Sequence, residues 1–155
     1  MEQIDLKRTN SDDKDFRMLT QLLDEELDVM DKKAHEVCFP FNNIETIKYA
    51  IVAYRNGIPV GCGAIREYEN QTVEIKRMFV ISSERGKGVA SALLEELEDW
   101  SKGLNYNTAI LETGMKMPVA INLYTRHGFL EIPNYGQYKH IESSLCFMKD
   151  LRNRD

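Results

Sequence analysis

The order of periodic segments along this chain predicts an α/β (mixed α+β) protein. The expected architecture is a central mixed, mostly antiparallel sheet of about six to seven strands with helices on both faces. Three observations carry that expectation. Asn56-Gly57 stands between two apolar runs, the signal of a tight hairpin whose central residues both take positive φ. A helical pattern over residues 88–102 separates strand-like runs at 72–81 and 108–113, the layout of a crossover between parallel strands. A second helical pattern opens at Pro118, and short apolar runs follow it at 129–132 and 144–148.

Taken in order, residues 3–8 alternate Ile4 and Leu6 with polar neighbours and read as a short edge strand. From Asp15 to about Met30, the residues Phe16, Leu19, Leu22, Leu23 and Leu27 recur at helical spacing on one face. Ser11-Asp12-Asp13 just before them can cap that helix and suit the positive end of its dipole. A loop is expected through Phe39-Pro40-Phe41. Strands at 49–55 and 58–68 flank Asn56-Gly57, and Glu69-Asn70-Gln71 leads into the next strand. In the helix after it, Val89, Leu93, Leu97 and Trp100 form one stripe, while Glu95, Glu96, Glu98 and Asp99 are expected mostly toward water. Gly103 is a natural stop, and the next helix is expected to end at His127-Gly128.

The chain of 155 residues fits one domain, 1–155, and can bury roughly two-thirds of the surface its unfolded form exposes. Hydrophobic residues make up 43% and charged residues 29%, which is ordinary for a globular protein. No apolar run approaches the ~20 residues needed to cross a bilayer, and the first residues lack the apolar core of a secretory leader. The three cysteines, Cys38, Cys62 and Cys146, form no CxxC pair; they read as reduced thiols of a cytoplasmic protein. No metal-ligand cluster is evident. A net charge of −5 argues against a nucleic-acid partner, which usually meets a basic patch.

Two segments carry chemistry. Val73-Glu74-Ile75-Lys76-Arg77-Met78-Phe79-Val80 places three charges in an otherwise apolar strand. Buried charges are costly unless paired or wet, so either Glu74 pairs with a basic neighbour or this stretch borders a water-filled cleft. Next, Ser82-Ser83-Glu84-Arg85-Gly86-Lys87-Gly88 turns the strand into a helix. Glycines let backbone approach a ligand, the first helical N–H groups have no internal partner, and Arg85 and Lys87 add positive charge. A diphosphate suits such a pocket. The segment is not a nucleoside-triphosphate P-loop, and Ser91 stands where a dinucleotide fingerprint would have its third glycine.

Arg85-Gly86-Lys87-Gly88-Val89-Ala90 resembles the Arg/Gln-x-x-Gly-x-Gly/Ala acetyl-CoA signature of the GNAT superfamily of N-acetyltransferases. Glu74 to Val80 looks like that family's fourth strand, Leu111-Glu112-Thr113-Gly114 like its fifth, and Ala120 to Phe129 like its Leu-Tyr-x-x-x-Gly-Phe helix end. The resemblance covers roughly Tyr49 to Leu151. It implies a GNAT-like fold with strands four and five splayed at a β-bulge, an acetyl-CoA-binding core over 72–128 and an acceptor-site region over 1–48.

The resemblance also implies roles. The pantetheine arm would pair with backbone at Met78, Phe79 and Val80, and the diphosphate would meet Arg85 and the segment Gly86, Lys87, Gly88, Val89 and Ala90, with Ser91 nearby. A backbone N–H near Phe79 would stabilise the developing oxyanion. An amine acceptor must lose a proton to attack, and Glu74 is the first choice of base, with Glu112 second. Tyr124 would protonate the departing thiolate. Met117 stands where similar members often carry Gln or Asn, so an amide contact to the cofactor is absent. His127, at a helix C-terminus, suits the dipole there.

The implied function is transfer of an acetyl group from acetyl-CoA to a primary amine of a small molecule, by direct attack in a ternary complex. Arg66, Lys76 and Arg77 point to an acceptor carboxylate, hence an amino acid or related compound, and Tyr135 and Tyr138 to the pocket lining. The alternatives are a protein-lysine or N-terminal acetyltransferase, or a non-catalytic acyl-CoA sensor that needs neither Glu74 nor Tyr124. No metal, nucleic acid or membrane partner is expected; a homodimer is.

Overall fold

The computed structural model describes residues 3–30 and 47–152. Cys38, His35, Phe39-Pro40-Phe41 and the later part of the 1–48 region lie outside the described residues. The strands are β1 (Ile4–Thr9), β2 (Tyr49–Arg55), β3 (Ile58–Glu69), β4 (Thr72–Val80), β5 (Thr108–Gly114), β6 (Leu130–Ile132) and β7 (Ser144–Asp150). The helices are α1 (Lys14–Met30), α2 (Val89–Gly103) and α3 (Pro118–Arg126), with short 3-10 turns at Ser82–Glu84 and Gly136–Tyr138.

One seven-stranded sheet runs β1-β2-β3-β4-β5-β7-β6. Only β4 and β5 are parallel, and α2 makes the crossover between them. Asn56 and Gly57 both take positive φ, 54° and 78°, so the β2–β3 hairpin closes on the turn its sequence favours. Helix α2 ends at Gly103, but the left-handed residue is Asn105, at φ 72°. Asn tolerates that conformation because its short amide can bond locally.

Each face of the sheet has its own core. Val73, Ile75 and Leu111 pack with Leu93, Leu94 and Leu97 of α2, and with Leu123, Tyr124 and Phe129 around α3. On the other face Phe16, Leu19 and Leu23 of α1 cover Ala50, Val52, Cys62, Ala64 and Phe79. Glu98 departs from the expected water-facing set: it is 6% exposed and holds Lys149 of β7 at 2.7 Å.

Two irregularities in β4 create the gap that positions the site. Pairing with β5 runs only from Thr72–Thr108 to Ile75–Leu111, so Lys76 to Val80 leave that partner. On the β3 side, Cys62 pairs with Phe79 but Ala64 with Lys76, leaving Arg77 and Met78 opposite Gly63. This is a β-bulge, and Arg77 sits in it at φ 61°. A non-glycine residue there costs about 1–2 kcal/mol, and the shift in alternation puts Lys76 and Arg77 successively on the α1 face.

Candidate active site

The segment between β4 and α2 is built as a donor cradle. Gly86 and Gly88 take φ of 76° and 88°, a left-handed conformation that a side chain would strain. Gly88 is the N-cap of α2 and offers no side chain to the helix end. From Gly86 to Ser91, no backbone N–H has an acceptor among the described residues; the first bond of the helix is Ala92 N–H to the Gly88 carbonyl. Six neighbouring donors, the positive helix end and Lys87 make an anion site.

Arg85 is held differently from its neighbours. Its Nε donates to the Val80 carbonyl at 2.7 Å and its Nη2 to Glu26 of α1 at 2.8 and 3.1 Å, with the guanidinium over the Phe79 ring. Ser91 is reached by His127, whose Nε2 lies 3.0 Å from the Ser91 hydroxyl, so the end of α3 meets the first turn of α2.

Backbone direction in β4 sorts the expected cofactor contacts. Ile81 N–H donates to Val60 of β3, and an antiparallel ladder alternates, so Phe79 also turns its N–H toward β3. The groups of Met78 and Val80 then face the gap. Phe79 thus supplies a ring under Arg85 and turns its N–H into the β3 ladder.

On the α1 face, the charged positions of β4 are all buried: Glu74 is 1% exposed, Lys76 8% and Arg77 6%. Arg77 is spent on structure, with its Nη2 2.9 Å from both Asp24 and the Thr20 carbonyl of α1. Its Nε, also buried, has no hydrogen-bond partner among the described residues. Glu74 accepts a 2.6 Å hydrogen bond from Tyr135 on Oε2. Its Oε1 lies 3.4 Å from Arg66 Nε and 4.0 Å from Lys76 Nζ. Neither Glu74 Oε1 nor Arg66 Nε has a hydrogen-bond partner among the described residues. Burial pulls the Lys76 ammonium below its ordinary value, and Glu74 partly restores it.

Glu112 points to the same face, in register with Cys146, and accepts from the Ser144 hydroxyl at 2.6 Å. Burial pushes its carboxyl above the usual range, against the opposing pull of Ser144 and Lys76. Tyr124 lies against Phe129 and Phe147; burial, then the charge of Glu112, raises its phenol well above the ordinary value. Thr113 Oγ1 lies 3.8 Å from the sulfur of Met117, so that methionine is used within the protein. Cys62 and Cys146 are buried free thiols, raised to about 12 and about 11 chiefly by burial. Among the described residues, no His, Cys, Asp and Glu side chains group as a metal site, and no helix is long and apolar enough to cross a membrane.

A sequence model of the acetyltransferase (GNAT) family matches residues 16–129. The chain belongs to that family. Over 102 residues it is 38% identical to an IAA acetyltransferase of Azospirillum brasilense, covering 65% of this chain and 67% of that one. A shorter stretch of 79 residues is 39% identical to human N-acetylaspartate synthetase, covering half of this chain but only 26% of that protein. A proposed acyl-CoA N-acyltransferase of Klebsiella pneumoniae superposes with a TM-score of 0.80 at 28% identity, over 97% of this chain and 98% of that one. A PaiA N-acetyltransferase of Thermoplasma acidophilum, solved in complex with coenzyme A, shares the fold at a TM-score of 0.73 and 14% identity, over 96% and 99% of the two chains. The GNAT fold and the enzyme class, acyl-CoA N-acyltransferase, follow.

Sequence reading did not find Tyr135 as the partner of Glu74, Ser144 as the partner of Glu112, or Glu26 as the partner of Arg85. These pairs are separated by 61, 32 and 59 positions. No local spacing marks them.

Proposed function

We propose that the protein acetylates the primary amine of a small molecule, with carboxylate-bearing amines such as amino acids as the acceptor class. One observation carries the reading: the unpartnered N–H groups of Gly86 to Ser91 open at the end of the gap where β4 leaves β5. They fit a diphosphate, and the Met78 and Val80 backbone along the gap fits the amide-bearing arm that acetyl-CoA would lay there. Bound acetyl-CoA would supply an activated acyl carbonyl and a thiolate leaving group.

The remaining chemistry falls to side chains. A primary amine has a pKa of about 10.4 in water and must be neutral to attack. Glu74 Oε1, buried and without a hydrogen bond, is placed to take that proton, directly or through a water; Glu112 is the second choice. Arg66, whose Nε is buried without a hydrogen bond 3.4 Å from Glu74 Oε1, is placed for an acceptor carboxylate, with Lys76 beside it. The product named in the human relative carries such a carboxylate. Tyr124 keeps its proton at all working pH values because its phenol is raised. A thiol has a pKa of about 8.5, so Tyr124 is a weak acid toward the leaving sulfur and acts first as a hydrogen-bond donor to it.

Calorimetric titration with acetyl-CoA, followed by an amino-acid and amine panel, tests the reading. The expectation is micromolar binding and turnover that a Glu74→Gln/Tyr124→Phe double variant loses. Binding without turnover on any amine, unaffected by those substitutions, would instead identify an acyl-CoA sensor. Absence of binding by folded protein would remove the cradle from consideration.

A further inference from the structure

The loop between β6 and β7 is built around aromatic residues that the reaction scheme above does not use. Tyr135 and Tyr138 meet edge to face at 5.5 Å, and Tyr68 of β3 meets Tyr135 in the same way at 5.2 Å. Asn134 fastens the loop by donating its Nδ2 to the carbonyls of Tyr138 and Ile141, at 3.2 and 3.1 Å. Gly136 takes φ 53°, and a Cβ there would stand 2.9 Å from the Tyr68 hydroxyl. The fixed loop reaches the charged face of β4: Tyr135 donates a 2.6 Å bond to Glu74 Oε2, and the Tyr138 hydroxyl accepts from Lys76 Nζ at 3.4 Å.

The two oxygens of Glu74 are thereby made unequal. Oε2 accepts a short, charge-assisted bond, while Oε1 has no hydrogen bond and faces Arg66. We infer that Tyr135 is a positioning residue that locks the Glu74 carboxylate in one rotamer and presents Oε1 alone to the incoming amine. This rests on the reading of Glu74 as the base. The Tyr135 phenol suits the task because burial, then the charge of Glu74, holds its proton in place, so it donates at every pH at which the enzyme works. The bond restricts the carboxylate to one orientation. Two cationic groups face Glu74, Arg66 of β3 and Lys76 of its own strand; Glu112 of β5 and Cys146 of β7 lie on the same face.

The test is the split between kcat and acceptor KM for Tyr135→Phe, using the amine that turns over fastest in the panel, beside Glu74→Gln. Phenylalanine keeps the ring contacts with Tyr68 and Tyr138, and acetyl-CoA binding by calorimetry certifies that the variant is folded; Tyr135→Met, read in the same way, replaces it if it is not. Losing one hydrogen bond to a carboxylate should lower kcat by roughly tenfold or more. The acceptor KM should stay within about twofold, because the loss concerns the proton and not the amine's grip. An inactive Glu74→Gln beside a wild-type kcat in Tyr135→Phe would overturn the positioning role and leave Glu74 as base. A Glu74→Gln variant with wild-type turnover would overturn the base reading itself, and the inference with it.

Discussion

Helices α1 and α2 both begin with basic residues at hand, yet their first turns are finished in opposite ways. At α1, Asp13 Oδ1 accepts from the N–H groups of Asp15 and Phe16 at 2.9 and 3.0 Å, and its Oδ2 takes Lys7 at 2.7 Å. At α2 the equivalent place is Gly88, and the donors are left open. A helix end that satisfies itself contributes to stability; one left open costs stability and is free to bind an anion. The contrast separates a capped terminus from an open one within a single chain.

That comparison breaks most sharply if α2 is given the carboxylate that α1 has. Gly88→Asp should weaken acetyl-CoA binding by about a hundredfold or more, because a like charge enters the diphosphate cradle and competes for its N–H groups. Calorimetry reads it, and retained affinity would mean the cofactor phosphates sit elsewhere. Lys87→Glu is the milder version: a loss of roughly tenfold that shrinks as salt rises, since exposed charges are screened. At the other terminus, Asp13→Ala should destabilise the protein by about 1–2 kcal/mol in urea unfolding while leaving the acetyl-CoA affinity unchanged. A shift in that affinity would show the two helix ends to be coupled.

The smallest effect is in pH. Burial works to raise the Asp13 carboxyl, but Lys7, the Phe16 N–H and Thr9 together hold it below its ordinary value. The unfolded chain therefore binds more protons than the folded one across that window, so stability rises with pH there. The contribution of the cap is complete above the ordinary carboxylate value and disappears as pH falls through the lowered one. Wild type and Asp13→Ala should converge in stability at that acid extreme. A gap that persists there would assign the difference to packing instead of the charged cap.

Much of the fold could be read locally. Asn56-Gly57, the stripe of α1 and the Gly-Lys-Gly entry to α2 are each decided by a few adjacent residues, because turn chemistry and helical period are short-range. The helix stops at Gly103 as its sequence suggests, but the left-handed residue is Asn105, after the last turn closes through bonds from Leu104 to Trp100 and Ser101. The gap was expected only through family resemblance; its physical cause is the bulge at Arg77.

What the sequence determined alone is the fold class, the Gly-Lys-Gly entry to α2 and the placing of acids on two neighbouring strands. Each depends on propensity, period or spacing over a handful of residues. Tertiary structure decided which of those acids and bases have partners. It turned Arg77 away to Asp24, turned the Phe79 N–H into the β3 ladder, brought Tyr135 onto Glu74 and Ser144 onto Glu112. Those outcomes depend on strand register and on contacts between residues far apart in the chain. A one-residue shift in pairing, such as the bulge in β4, changes which face a side chain takes. No local pattern encodes that shift.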